Sequence, residues 1–544
     1  MSHSWWQTAA IYQIYPRSFQ DSDGDGVGDL RGMTTRLQYL AELGIDAVWL
    51  SPIYPSPLAD FGYDVADHCS IDPVYGTLAD FDALVETAHG LGLRVILDYI
   101  PNHTSDQHPW FAESRRSTAR HKRDWYIWRD PRPDGSEPTN WLSEFGGPAW
   151  TFDDTTGQYY YHAYLKQQPD LNWRNAEVRE AMLRVLRYWL ERGVDGFRVD
   201  AIHHLIESEK LVDNPVNPEW RPGMSPARRL LRVHTMDQPE VHEAIAAMRR
   251  LVDEYDDRLL IGEAYLPLER LMAYYGADLG GFHLPFNFQL ISAPWQPTSI
   301  AALIEAYERA LPKGAWPNWV LGNHDRSRVA TRLGAAQARV AAMLLLTLRG
   351  TPTIYQGEEI GMTDVLIPPD AVQDPWERNV PGLELGRDPE RTPMQWDAGK
   401  NAGFSGGQPW LPLSPEFGMV NVAEELREPR SMLWLYRKLL ALRRATPALQ
   451  VGTYREIAAD ESVLTFEREH EGTRCRVALN FSSAAQPLPP QDGVLLLSSN
   501  LDLTAGDTPP QQLRPHEGIV VQCAQLSTAQ KPMRSASRQR VPRD

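Results

Sequence analysis

Two apolar patterns take turns along most of this chain. Short continuous apolar runs recur between stretches in which apolar residues return every three or four positions. The first pattern is that of strands buried on both faces, the second that of amphipathic helices. Ile11 to Tyr15, Ala47 to Leu50 and Arg94 to Ile100 are predicted as the first three strands. Met33, Leu37, Leu40 and Ala41 mark the helix between the first two, stopped by Gly44; Leu78, Phe81, Leu84, Val85 and Ala88 mark the next. The alternation then stops. From Pro101 to about Asn172 the chain is rich in Trp, Tyr, Pro, Gly and Asp, with only short strand candidates such as Gln158 to Tyr164. A structureless loop of that length does not suit a compact domain, so a small inserted subdomain is expected. Alternation resumes with a helix from Ala176 to Arg192 and the run Asp195-Gly196-Phe197-Arg198-Val199-Asp200. Leu259 to Tyr265, a weaker His283 to Phe288, Trp319 to Asp325 and Thr351 to Gly357 complete the strands.

Eight strands alternating with helices predict an α/β fold, a (β/α)8 TIM barrel whose site is built at the C-terminal ends of its strands. Residues 1–101 and 173–448 are assigned to the barrel and 102–172 to the insertion after strand 3. The excursions Leu205 to Gln238 and Gly361 to Gly407 follow the fourth and eighth strands and belong at the same rim. A helix from Ser431 to Ala445 closes the barrel region. From about Val451 the pattern turns to β alternation, so residues 449–526 are expected to form a C-terminal antiparallel β-domain. Residues 527–544, basic and without apolar period, read as a disordered tail.

Composition narrows the function. A net charge of −17 argues against a nucleic-acid surface. The three cysteines, Cys69, Cys475 and Cys523, make neither a disulfide framework nor a zinc site, which favours a reducing compartment. With no leader pattern at the N-terminus and no apolar run near membrane-span length, the expectation is a cytoplasmic protein with no membrane partner. Eighteen Trp and 21 Tyr supply planes of the kind that stack on sugar rings.

Three acidic residues, Asp200, Glu263 and Asp325, end apolar strands and therefore point into one mouth. Arg198, two residues before Asp200, shares its side of the strand and would hold that carboxylate ionised. For Asp200 alone, a structural ion pair explains as much. Crowded carboxylates push their pKa values apart, and a pair flanking a bond is the equipment for glycosidic cleavage. Asp98, Asn102 and His103 end the third strand, and His324 precedes Asp325, placed to bind sugar hydroxyls. Separately, Asp21, Asp23, Asp25 and Asp29 alternate with glycines in a tight loop suited to one hard cation such as Ca²⁺.

Asp98-Tyr99-Ile100-Pro101-Asn102-His103, Gly196-Phe197-Arg198-Val199-Asp200, Gly262-Glu263-Ala264 and Asn323-His324-Asp325 resemble, in order and spacing, the four motifs of the α-amylase family, glycoside hydrolase family 13. Gln168-Pro169-Asp170-Leu171-Asn172 resembles its fifth. The resemblance implies Asp200 as nucleophile, Glu263 as general acid then base, Asp325 as the third carboxylate, Arg198 orienting Asp200, and His103 and His324 binding glucose. It also implies a structural, non-catalytic Ca²⁺ held by Asp21, Asp23, Asp25, Val27 and Asp29.

The opening Ile11 to Phe19, the run Asp60-Phe61-Gly62-Tyr63-Asp64 and Asn323-His324-Asp325 followed by Arg328 are similar to the α-glucosidase and oligo-1,6-glucosidase group. That resemblance implies an Asp64–Arg328 pair closing the pocket floor, with Tyr63 as stacking platform. Ala201, after the nucleophile, goes with α-1,4 rather than α-1,6 cleavage in similar enzymes. The departure Ile202-His203-His204 gets no role. The expected function is a retaining exo-α-glucosidase acting on a small oligosaccharide or glucoside such as maltose, with transglucosylation to alcohols as a competing outcome. The rivals are an oligo-1,6-glucosidase, a sucrose- or trehalose-acting hydrolase or isomerase, and a non-catalytic transporter subunit, which the intact acids disfavour.

Overall fold

The first strand, Ile11–Ile14, pairs in parallel with Ala47–Leu50 on one side and Thr351–Tyr355 on the other. The remaining barrel strands are Arg94–Tyr99, Gly196–Val199, Leu259–Gly262, Leu284–Pro285 and Asn318–Val320. Numbered by chain order within the barrel, they run seven-eight-one-two-three-four-five-six, every pair parallel. A parallel bridge from Asn287 to Trp319 joins the sixth strand's end to the seventh and closes the ring. This computed structural model describes residues 3–524, so the tail expected over residues 527–544 lies outside the described residues.

Both strand faces are buried, which is why the runs are apolar without interruption. Ile11, Ala47, Trp49, Ile96, Leu259 and Ile261 fill the barrel interior. Their neighbours Val48, Leu50, Val95, Leu97 and Leu260 face the helical layer. The weak sixth strand is reduced to Leu284–Pro285, because proline cannot donate to a ladder. Fifth and sixth strands stay close at Gly262: a Cβ there would lie 2.4 Å from the Phe282 ring.

Between the third and fourth strands, an antiparallel sheet of Trp128–Arg129, Gln158–Tyr161 and Trp150–Asp153 forms around Trp141, Trp150 and Tyr161. Bridges His103 to Asp170 and Tyr126 to Leu171 tie this insertion back to the third strand's end. Beyond the helix Met432–Ala445, a five-stranded antiparallel sheet contains Thr453–Ala459, Val463–His470, Thr473–Asn480, Gly518–Cys523 and Gly493–Ser498. Arg468, fully buried on that sheet, donates to the carbonyls of Leu449 and Gly452 and to Thr347 on a barrel helix.

One sequence expectation needs correcting. The helix Val329–Thr347 is long and apolar enough to cross a membrane by length and composition. Most of it is buried against the helix Met432–Ala445 and the C-terminal sheet. The three cysteines are free thiols.

Candidate active site

The fourth strand's ladder stops at Val199, and the next residue, Asp200, takes one last parallel hydrogen bond, donating its N–H to Tyr99 O. Glu263 does the same one strand over, donating to Val199 O. Both carboxylates therefore leave the barrel at the same level. Arg198, buried beside them, holds them together: Nη1 donates to Asp200 Oδ1 and to Asp98 Oδ1, each at 2.7 Å. Its Nη2 lies 2.8 Å from Glu263 Oε2. One guanidinium thus serves three carboxylates, leaving the cluster net negative.

Burial drives Asp200 well above the usual carboxylate range; Arg198 opposes this, while Glu263, Asp98 and Asp325 add to it. Asp98 is pushed up to about 6 by the same burial, again against Arg198. This runs against the expectation that Arg198 holds Asp200 ionised: burial outweighs the guanidinium beside it. Ala201 then turns sharply, in the left-handed region at φ 48°. This aims its N–H at Glu263 Oε2, 2.9 Å away. The buried Ala201 methyl does not contribute to the cavity wall, so this residue acts through its backbone turn, which a β-branched side chain would strain.

The cavity above these acids has a volume of about 410 Å³. Tyr63 and His324 stack in its wall, ring planes 6° apart. Gln13 Nε2 meets His324 Nδ1 at 2.7 Å, so the ring proton sits on Nε2, which donates to Tyr63 Oη at 2.6 Å. Tyr63 Oη in turn donates to Asp98 Oδ2. His103, also in the wall, is pulled down to about 3 by burial and stays neutral. Burial would raise Asp325, but the guanidiniums of Arg387 and Arg391 hold it far below the usual range. Arg391 Nη2 reaches Asp325 Oδ1 at 2.8 Å.

The pocket floor differs from the one expected. Asp64 and Arg328 form no pair and neither lines the cavity. Asp64 ties up its own turn, accepting from Ser56 Oγ and the Ala59 and Asp60 N–H groups. Arg328 donates to the carbonyls of Gln356 and Glu390. The ion pair is made instead by Asp60 and Arg387, 2.6 Å apart, both in the wall. Arg387 also reaches Asp325 at 3.4 Å and donates Nε to fully buried Asp374 at 2.6 Å. Asp60 opens the run that drew attention to Asp64. Arg387 lay unmarked in the Gly361 to Gly407 excursion, its one clue the acidic neighbours Asp374 and Asp388.

His203 and His204, given no role from sequence, both line the cavity, and burial keeps both imidazoles neutral. Glu144 from the insertion and Arg232 from the excursion after strand four join across the same wall. Gln168, in the fifth motif, donates to Asp60 and meets His103 Nε2 at 3.0 Å.

In the acidic loop, carboxylate oxygens of Asp21, Asp23 and Asp29 lie within 4.8 Å of one another. The all-oxygen set fits a hard cation. Asp25 is outside this triplet; its Oδ1 accepts the Val27 N–H.

Residues 13–452 match the model of the alpha amylase catalytic domain. Over 525 residues the chain is 42% identical to a probable alpha-glucosidase of Rhizobium meliloti (strain 1021), covering 92% of this chain and 94% of that protein. It is 40% identical to maltase 1 of Drosophila virilis, over 95% and 87% of the two chains. Among solved structures, the alpha-glucosyl transfer enzyme XgtA superimposes with a TM-score of 0.91 at 40% identity, covering 96% of this chain and all of that one.

Proposed function

The chain belongs to the α-amylase family of glycoside hydrolases, and we propose that within it the protein is a retaining, exo-acting α-glucosidase that removes glucose from the non-reducing end of short α-1,4-linked substrates such as maltose. The observation that carries this reading is a pocket with Asp200 and Glu263 on one guanidinium and the Asp60–Arg387–Asp325 cluster facing them. Charged groups packed there suit the hydroxyls of a terminal sugar.

Asp200 attacks the anomeric carbon, forming a glucosyl ester as the glycosidic C–O bond breaks. Glu263 gives its proton to the departing oxygen. A water then attacks the same carbon, returns a proton to Glu263 and frees the Asp200 carboxylate. An alcohol can replace the water, which makes transglucosylation a partition of one intermediate. Retention is supported by Arg198 contacting both acids at 2.7 and 2.8 Å, since retaining pairs stand closer, about 5–5.5 Å apart, than inverting ones.

Preference for α-1,4 bonds is supported by the maltase among the relatives. A structural Ca²⁺ at Asp21, Asp23 and Asp29 is part of the same reading: it would clamp a loop, and no catalytic step uses it. Initial rates on maltose, isomaltose, sucrose and trehalose test the linkage, with maltose expected fastest. Maltose and a maltooligosaccharide blocked at its non-reducing end test the exo action. Release of fragments from the blocked chain at a rate near that of maltose overturns it.

A further inference from the structure

Gln13, on the first strand, points into the barrel level with Trp49, Ile96 and Leu259 of the second, third and fifth. These neighbours are apolar, and Gln13 is fully buried. Its Nε2 donates to Ser51 Oγ at 3.2 Å and meets His324 Nδ1 at 2.7 Å. Its Oε1 has no hydrogen-bond partner among the described residues. A buried acceptor left without a donor costs stability. An apolar side chain of this length would avoid that cost, so packing alone does not account for a glutamine here.

What the amide controls is a proton. Tyr15 and Tyr63 both stack on the His324 ring, their planes 22° and 6° from it, so the ring is already fixed. Burial keeps the imidazole neutral, so one ring nitrogen alone carries hydrogen. A donor at Nδ1 assigns that hydrogen to Nε2, which faces Tyr63 Oη at 2.6 Å. Tyr63 Oη is then free to donate to Asp98 Oδ2 at 3.0 Å. Asp98 Oδ1 accepts from Arg198 Nη1, which also donates to Asp200. With the hydrogen on Nδ1 instead, Tyr63 would donate to His324 and Asp98 would lose its bond.

We infer that Gln13 is a positioning residue that sets the tautomer of His324, and with it the direction of the hydrogen-bond chain from His324 through Tyr63 and Asp98 to Arg198. Gln13 does not line the cavity and touches no substrate. The inference rests on the α-glucosidase reading and specifies how the anchor of its nucleophile is held.

Initial rates on maltose across pH, with thermal unfolding in parallel, compare Gln13→Met and Gln13→Glu with the wild type. Methionine removes the donor at every pH. It is expected to lower kcat/KM about tenfold, the worth of one hydrogen bond, without lowering the unfolding temperature. Glutamate donates only while protonated. The charged groups around it and His324 are Asp98, Asp325, Arg198, Arg387 and Arg391. At acid pH its carboxyl hydroxyl replaces the amide and activity stays near the wild type. As pH rises the carboxyl ionises and can only accept, the ring hydrogen moves to Nδ1, and kcat/KM falls about 10- to 100-fold. The alkaline limb therefore moves to lower pH. A methionine variant within about twofold of the wild type at every pH overturns the inference and leaves the α-glucosidase reading standing. So does a glutamate profile parallel to the wild type. If the wild type cleaves neither maltose nor another α-glucoside, that reading fails, and the imidazole nitrogen NMR signals of His324 decide on Gln13: Nε2–H supports the inference and Nδ1–H overturns it.

Discussion

Replacing Arg387 by Met keeps the stem and removes the cation that organises the pocket floor. Arg387 makes ion pairs of 2.6 Å with Asp60 and with Asp374, and a longer one of 3.4 Å with Asp325. Hydrogen bonds to charged groups contribute about 1.5–3 kcal/mol each. Asp374 is fully buried and does not line the cavity, so the Asp60 and Asp325 contacts set the catalytic cost. Taking the longer bond at the low end gives about 3–4.5 kcal/mol, a fall in kcat/KM for maltose of about 10²- to 10³-fold. Burial lifts the Asp60 carboxyl, and Arg387 is the first of the groups opposing that lift. Without it the carboxyl rises further, so the acid limb of the residual activity moves to higher pH. Initial rates across pH, with thermal unfolding measured in parallel, separate lost binding from lost folding. The control is Arg328→Met, whose bonds go to the carbonyls of Gln356 and Glu390: it is expected to lower stability more than kcat/KM. An Arg387→Met enzyme within about threefold of the wild type, beside a crippled Arg328→Met enzyme, would refute the assignment of the floor.

Other outcomes follow from the same geometry. Glu263→Gln is expected to cut maltose hydrolysis by about 10²- to 10⁴-fold, the usual worth of proton transfer, yet to spare glucosides whose leaving group needs no proton; equal losses on both would remove Glu263 from the acid role. Glu358 is buried with neither carboxyl oxygen hydrogen-bonded, and burial, opposed by Arg332, pushes it up to about 8. Between its ordinary value of 4.5 and 8 the folded chain holds a proton the unfolded chain lacks. Its contribution is therefore fully present below about pH 4.5 and is lost as pH rises to about 8. Glu358→Gln should flatten that decline and raise the unfolding temperature at alkaline pH; parallel curves for variant and wild type would show Glu358 ionised in the fold. Chelation is expected to lower the unfolding temperature and Ca²⁺ to restore it; an unfolding temperature indifferent to both would leave Asp21, Asp23 and Asp29 without a cation.

The barrel was legible in the sequence because its strands are buried on both faces, which forces continuous apolar runs such as Arg94–Tyr99 and Leu259–Gly262. Asp200 and Glu263 were legible for a related reason: each is the first residue past such a run. Asp60 and Arg387 were not, because they meet across 327 positions and both sit in loops whose paths no periodicity describes. Asp64 shows the hazard. It is close to Asp60 in sequence and buried like it, but its oxygens are consumed by the turn that presents Asp60. Ala201 looked like a side-chain determinant of linkage, yet its visible contribution is a left-handed turn and an N–H aimed at Glu263.

The central claim is that Asp200 forms a covalent glucosyl intermediate beside a proton-donating Glu263. Proton NMR of the hydrolysis of methyl α-maltoside, whose blocked reducing end leaves the transferred unit as the first free glucose, read within the first turnovers before mutarotation, tests it most directly. Two displacements at one carbon give α-glucose as the first anomer released from the non-reducing end. An initial β-glucose signal would contradict the claim.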